Sequence, residues 1–129
     1  MNIQFVPPPE GVKRRQSDLV LTGPLAFASG IIGADMTNDA APLAESVEAQ
    51  ARQILNNLDR LLSPHNLARG DVVAVHLWLK DFQRFHDRLE RVWPEFFPLE
   101  SLPTRQTVGV LALPRGALIS MDFVIARGR

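Results

Sequence analysis

Apolar residues recur along this chain with two periods, and those periods predict its secondary structure. Between Leu43 and Leu62 they return every three to four positions among charged and amide side chains, which predicts an amphipathic helix with Pro42 in its first turn. A second amphipathic helix is predicted from Phe82 to Phe97, and Pro94 should kink or shorten its last turn. Short runs rich in apolar residues predict strands near Met1–Val6, Leu19–Leu21, Leu25–Ser29 and Asp71–Lys80.

The stretch from Leu102 to Ala126 is predicted to form a β-hairpin around the turn residues Leu113-Pro114-Arg115-Gly116. Pairing Ala112 with Ala117 would set Val110 opposite Ile119, Val108 opposite Met121 and Gln106 opposite Phe123. The other face would carry Arg105, Thr107, Gly109, Ser120, Asp122 and Val124. Gly109 would leave a gap opposite Ser120, and Arg105 would reach Asp122 diagonally. This face is either a small-anion pocket or the solvated side of an edge hairpin.

The order of elements, β(β)αβαββ, predicts the fold class. Two helices can cover one face of a mixed sheet, which gives a two-layer α/β (α+β) sandwich in one domain spanning residues 1–129. The opposite sheet face is also apolar, because it is predicted to carry Val72, Ala74, Trp78, Val124 and Ala126. No third helix is available to cover it, so we expect a second copy of the chain to do so.

Composition narrows the classes of function. The chain has 14 basic and 14 acidic residues, and its one basic run is Lys13-Arg14-Arg15, so we expect no nucleic-acid partner. It has no cysteine, which excludes disulfides, thiolate metal sites and a cysteine nucleophile. No run of 18 apolar residues and no secretory signal are present, so we expect no membrane partner and a cytoplasmic location.

Arginine 105 is the residue most suited to ligand binding. The three histidines, at positions 65, 76 and 86, lack metal-ligand spacing, and no metal or cofactor is predicted. A guanidinium in a strand next to a face between subunits needs an anionic partner. That partner is either the Asp122 carboxylate or the carboxylate of a small ligand, which a guanidinium can bind bidentately.

Four segments follow one another in a characteristic order: Ser29-Gly30, Val92-Trp93-Pro94-Glu95-Phe96-Phe97, Pro103-Thr104-Arg105 and Leu113-Pro114-Arg115-Gly116-Ala117-Leu118. From about Leu25 to Ala126 the chain resembles the RidA/YjgF/UK114 family of small imine and enamine deaminases. The resemblance implies a chorismate mutase-like (YjgF) fold, a homotrimer with sites between subunits, and a small carboxylate substrate held by Arg105.

Four positions depart from the family pattern. Ser120 stands where the family has a water-ordering glutamate, Gln16 matches a tyrosine, Thr107 a cysteine and Glu90 an asparagine. The predicted catalytic residues are Arg105 and Ser120, and the predicted binding residues are Arg105, Ser29, Gly30, Thr107, Asp122 and Gln16. Two functions stay open. One is hydrolysis of small reactive 2-imino or enamine acids to 2-oxo acids and ammonia, weaker than in the better-known family members or altered in substrate; the other is a non-catalytic carboxylate-binding or regulatory trimer.

Overall fold

Six strands form one mixed sheet in the computed structural model, which describes residues 2–128. In chain order the elements are β1 (Ile3–Val6), β2 (Leu19–Thr22), β3 (Leu25–Ile32), α1 (Val47–Leu62), β4 (Val72–Lys80), α2 (Phe82–Val92), β5 (Thr104–Val110) and β6 (Ile119–Ala126). Their order across the sheet is β1-β2-β3-β6-β4-β5. Among the strand pairs within residues 2–128, only β4–β5 is parallel. Met1, part of the first predicted strand, lies outside the described residues.

Alternation along the central strands builds the core. Val75, Leu77 and Leu79 of β4 stand beside Phe123, Met121 and Ile119 of β6 on the face that meets both helices. Helix α1 covers them with Ile54, Leu55, Leu58 and Leu62, all fully buried. Burying each such side chain contributes about 1.5–3 kcal/mol, so this layer dominates stability. The prediction of a mixed sheet with two helices is confirmed. Within residues 2–128, neither helix is long and apolar enough to cross a bilayer.

Both helices are shorter than their apolar patterns predict. Helix α1 begins at Val47, because the Ser46 side chain caps it by accepting the Ala49 N–H at 3.0 Å. The predicted first turn at Leu43 is wrong: the next residue, Ala44, donates its N–H to the Gly33 carbonyl instead. Helix α2 ends at Val92, and Pro94 falls in the 3₁₀ turn that follows. The shortening predicted from Pro94 is therefore confirmed.

The predicted C-terminal hairpin is wrong. Strand β4 lies between β5 and β6, so Leu77 has Thr107 on one side and Met121 on the other. The proposed pairs, Ala112–Ala117, Val110–Ile119, Val108–Met121 and Gln106–Phe123, do not form. The reason is that α2 returns the chain for parallel pairing of β5 with β4, as a helical crossover does. Residues 111–118 then carry the chain past β4, with a 3₁₀ turn at Pro114–Gly116.

The sheet face away from the helices, called the open face below, carries exposed apolar side chains. Phe5, Val20, Phe27 and Val124 occupy neighbouring positions on β1, β2, β3 and β6, and Trp78 and Val108 are neighbours on β4 and β5. The assignment of Val72 to this face is wrong. A β-bulge between Val72 and Ala74 turns Val72 into the core and leaves Val73 exposed.

Gly33 marks the closest approach of the β3 end to α1. A Cβ atom added there would lie 2.5 Å from the Gln50 Cα atom, which is backbone and cannot rotate away. We expect Gly33→Ala to lower the free energy of unfolding by about 1–3 kcal/mol, since overpacking shifts the helix. Urea denaturation checks this. An unchanged urea midpoint in Gly33→Ala would contradict this close approach of β3 to the helix.

Candidate functional site

Arg105 lies on the helix side of β5, at the edge of the sheet. It is the register partner of Val75, a core residue, and its Nη2 atom is 2.5 Å from Oε1 of Glu90 on α2. The guanidinium carbon lies 4.6 Å from the centre of the Trp93 ring. The predicted pairing with Asp122 is wrong, because Asp122 projects from the open face and β4 separates the two strands. Arg105 also points toward the helix layer rather than toward the open face.

Glu90 joins Arg105 to a histidine on the same helix. His86 Nε2 is 3.5 Å from the Oε1 atom that Arg105 contacts, and the His86 ring stacks on Phe82 at 4.6 Å between centroids. The side chains of Arg105 and Glu90 are 25% and 36% exposed, so both are partly accessible to solvent. The pair therefore remains open to a ligand.

Thr107 lies two residues beyond Arg105 on the same side of β5. Its Oγ1 atom is buried and has no hydrogen-bond partner among residues 2–128. An unsatisfied buried hydroxyl typically costs about 1–3 kcal/mol. The predicted gap at Gly109 is absent: a Cβ there would meet Phe82 Cβ at 3.0 Å. We call Arg105, Thr107, Glu90 and Trp93 the arginine cluster.

A second set of predicted residues gathers at an irregularity in β3. The β3–β6 register shifts between Ala28 and Ile31, where Gly30 has φ +69° and donates its N–H to Asp122 Oδ1 at 2.7 Å. Gln16 Nε2 donates to the carbonyl of Ser29 at 3.1 Å. We call Gln16, Ser29, Gly30 and Asp122 the bulge cluster. Because Asp122 already takes the Gly30 N–H, that amide is not free for a departing nitrogen.

A cavity of about 370 Å³ opens beside the bulge cluster. Its charged lining residues are Arg14, Asp18, Asp35, Asp39 and Arg115. Asp18 is only 3% exposed and accepts a two-point hydrogen bond from Arg14, with Nε–Oδ1 at 3.2 Å and Nη2–Oδ2 at 3.0 Å. The backbone N–H and the hydroxyl of Thr37 hold the pKa of the Asp35 carboxyl below its usual value. The cavity wall thus combines both signs of charge.

Ser120 stands apart from both clusters. It is 5% exposed, lies on the open-face side of β6, and has Trp78 and Ile32 as its register partners. It does not line the cavity described above. The predicted residues therefore fall in three places of one chain: the arginine cluster on the helix side, the bulge cluster by the cavity, and Ser120 between β3 and β4.

Sequence reasoning missed two acidic residues, one in the arginine cluster and one beside the bulge cluster. Glu90 was noticed only as a departure from a family pattern, and nothing in the local sequence links it to Arg105. The carboxylate of Asp18 orders the segment that carries Gln16, through Arg14 and through Arg60 at 3.9 Å. The four-residue spacing of Arg14 and Asp18 was the available signal, but no helix accompanies it.

Comparisons with known proteins cover nearly the whole chain. The family model described as Endoribonuclease L-PSP matches residues 12–127. A RutC family protein of Aquifex aeolicus is 31% identical over 102 residues, 78% of this chain and 79% of that protein. A 2-iminobutanoate/2-iminopropanoate deaminase of Dermatophagoides farinae is 28% identical over 110 residues, 84% of this chain and 83% of that one. The crystal structure of RidA from an Antarctic Psychrobacter has a TM-score of 0.80 at 27% identity and covers 98% of both chains.

Proposed function

Because this chain belongs to the RidA/YjgF family, which the Endoribonuclease L-PSP model describes, we propose that it hydrolyses small 2-imino and enamine acids to 2-oxo acids and ammonia. The family match over residues 12–127 carries this proposal. The named deaminase from Dermatophagoides farinae supports the reaction class. At the site itself, the support is a guanidinium at the sheet edge that reaches solvent beside an unsatisfied hydroxyl.

The site is completed between copies of the chain in this proposal. Within residues 2–128, Arg105 on β5 and Glu90 on α2 do not line the cavity beside the bulge cluster. Strand β5 is at the edge of the sheet, and the open face beside it carries exposed Phe27 and Val108. We propose a homotrimer that covers the open face and sets the arginine cluster of one copy, at the sheet edge, against the bulge cluster of the next.

Each cluster then has a part in the reaction. Arg105 binds the substrate carboxylate and orients the protonated C=N bond. Water adds to the imine carbon and loses one proton, and a proton passes to the nitrogen of the carbinolamine. The C–N bond then breaks with its electron pair leaving on ammonia, while the hydroxyl oxygen forms the C=O bond of the 2-oxo acid and releases its proton. Asp122 Oδ2 accepts the proton from water, since Oδ1 already holds the Gly30 N–H. Ser120 remains the predicted hydrogen-bond partner of the water, although its hydroxyl is no base at neutral pH.

A non-catalytic, carboxylate-binding trimer is the second candidate function. Two observations favour it: Glu90 already occupies one edge of the Arg105 guanidinium, and a serine stands at the position of the family's water-ordering glutamate. RNA cleavage, suggested by the family model's description, has less support. Net charge is zero, and Arg14, Arg52, Arg69, Arg88 and Arg105 are each paired with a carboxylate.

Ammonia release tests the proposal directly. An auxiliary oxidase acting on 2-aminobutanoate supplies 2-iminobutanoate in the cuvette, and ammonia is followed with and without the protein. We expect a rate above that of buffer, because positioning alone accelerates a hydrolysis that already proceeds in water. A rate equal to buffer across several 2-imino acids, together with saturable binding of a small carboxylate, would favour the binding trimer.

A further inference from the structure

The Glu90–Arg105 contact gives the arginine cluster two charges of opposite sign. In residues 2–128, the Glu90 contacts with Arg105 and His86 both use Oε1, so Oε2 takes part in neither, and the Glu90 side chain is 36% exposed. Arg105 uses Nη2 for Glu90 while Trp93 supports one face of its guanidinium. The remaining guanidinium N–H groups and Glu90 Oε2 are therefore neighbouring donors and acceptor at one surface.

These two charges discriminate among small carboxylates. A simple 2-oxo acid carries only a negative charge, so it gains from Arg105 but is repelled by Glu90. A ligand with a carboxylate and a protonated nitrogen on the next carbon matches both side chains. Its two charges are adjacent, as are those of the ion pair. A protonated 2-imino acid has this arrangement.

We propose that Glu90 and Arg105 form a two-charge subsite that selects zwitterions, with the carboxylate at Arg105 and the protonated nitrogen at Glu90. The choice of a 2-imino acid as natural ligand rests on the proposed function. In that reaction, Glu90 keeps the proton on the imine nitrogen, which maintains the electrophilic form until water adds. It also disfavours the 2-oxo acid product, which has no charged nitrogen, and so promotes its release.

Stable compounds test the subsite independently of turnover. 2-Aminobutanoate carries a protonated nitrogen beside its carboxylate, and 2-oxobutanoate has the same carbon skeleton without it. Calorimetric titration of the full chain in its native assembly gives the dissociation constant of each. We expect the wild type to bind 2-aminobutanoate about three- to tenfold more tightly, a range discounted for the partial exposure of the pair.

The Glu90→Gln variant should reverse this preference. Losing the negative charge weakens the binding of 2-aminobutanoate and strengthens the binding of 2-oxobutanoate, so the first dissociation constant rises and the second falls. The matched control is Glu95→Gln, a half-exposed glutamate paired with Arg52 at 2.9 Å, which should keep the wild-type ratio. If Glu90 serves only as a counter-ion for Arg105, the dissociation constants of both ligands would decrease by the same factor in Glu90→Gln.

An unchanged ratio in Glu90→Gln overturns the inference, as does tighter binding of 2-oxobutanoate than of 2-aminobutanoate by the wild type. Failure of the wild type to bind either compound at millimolar concentration also overturns it. The proposed function fails separately: zwitterion selection without ammonia release refutes hydrolysis and leaves the subsite intact. Ammonia release without zwitterion selection refutes the subsite alone.

Discussion

Alanine in place of Arg105 is expected to lower kcat/KM for 2-iminobutanoate by about ten- to a hundredfold. The variant loses a charge-assisted contact to the substrate carboxylate, and such contacts are worth roughly 1.5–3 kcal/mol. It also removes the cation that contacts Glu90 Oε1, so the Glu90 carboxylate repels the substrate carboxylate. The measurement is ammonia release over a range of substrate concentrations, with binding of 2-oxobutanoate measured in parallel. The value of kcat/KM and the affinity for 2-oxobutanoate should decrease together.

A matched arginine separates this effect from a general loss of surface ion pairs. Arg52 also donates to a glutamate through a two-point contact, with Nε at 3.1 Å and Nη2 at 2.9 Å from the Glu95 oxygens. Arg52→Ala should change kcat/KM by less than about twofold, since exposed pairs contribute little to stability. Equal rates for Arg105→Ala and the wild type would show that Arg105 does not bind the substrate.

Replacing Trp78 with glutamate is expected to dissociate the assembly. Trp78 lies on the open face between Val108 of β5 and Ser120 of β6, where a charge would have to be buried against a second copy. Burial of an unpaired charge costs several kcal/mol, which exceeds what the contacts around one side chain contribute. Light scattering should show a trimer for the wild type and a monomer for the variant at micromolar concentration. Turnover should be lost with the assembly.

The control for this variant is Leu111→Glu, since Leu111 is an apolar residue that is 95% exposed in the segment after β5. It should retain the trimeric mass and the wild-type rate. The proposed trimer would be contradicted if the wild type were a monomer. The proposed position of Trp78 in its interface would be contradicted if the Trp78→Glu variant were still a trimer. A fully active monomer would further show that the arginine cluster works without the bulge cluster of a neighbour.

The helices and strands follow from patterns that the chain carries locally. The Val47–Leu62 helix and the Val72–Lys80 strand were predicted within a few residues, because side-chain periodicity reports which face each element buries. The errors occur where another part of the fold competes. The start of α1 moved to Val47 because Ser46 caps it and Ala44 bonds to Gly33, a contact across eleven residues that no local pattern contains.

The pairing of the strands was the main error of the sequence-based prediction, and it gave the site residues the wrong neighbours. Leu102 to Ala126 contains two genuine strands, but the β-rich pattern of a strand does not specify its neighbour. Parallel pairing of β5 with β4 turned Arg105 toward Glu90 and Trp93, whereas the predicted hairpin directed it to Asp122. A change of partner strand changes every side-chain neighbour, so the error spread to Thr107 and Gly109.

The amino-acid sequence by itself determined the family, the two-layer mixed-sheet fold and the element order, because periodicity and motif order are properties of the chain alone. Only the tertiary structure decided which charges meet. Glu90 and Arg105 are 15 residues apart, and Gly30 and Asp122 are 92 apart. Each contact depends on how the strands and α2 pack, and burial of the shared core sets that packing. The physical reason is that hydrophobic burial has no preferred direction, so the apolar pattern of the sequence determines only which faces are buried and hence the layers of the fold. Strand register and crossover geometry then determine where the polar side chains lie.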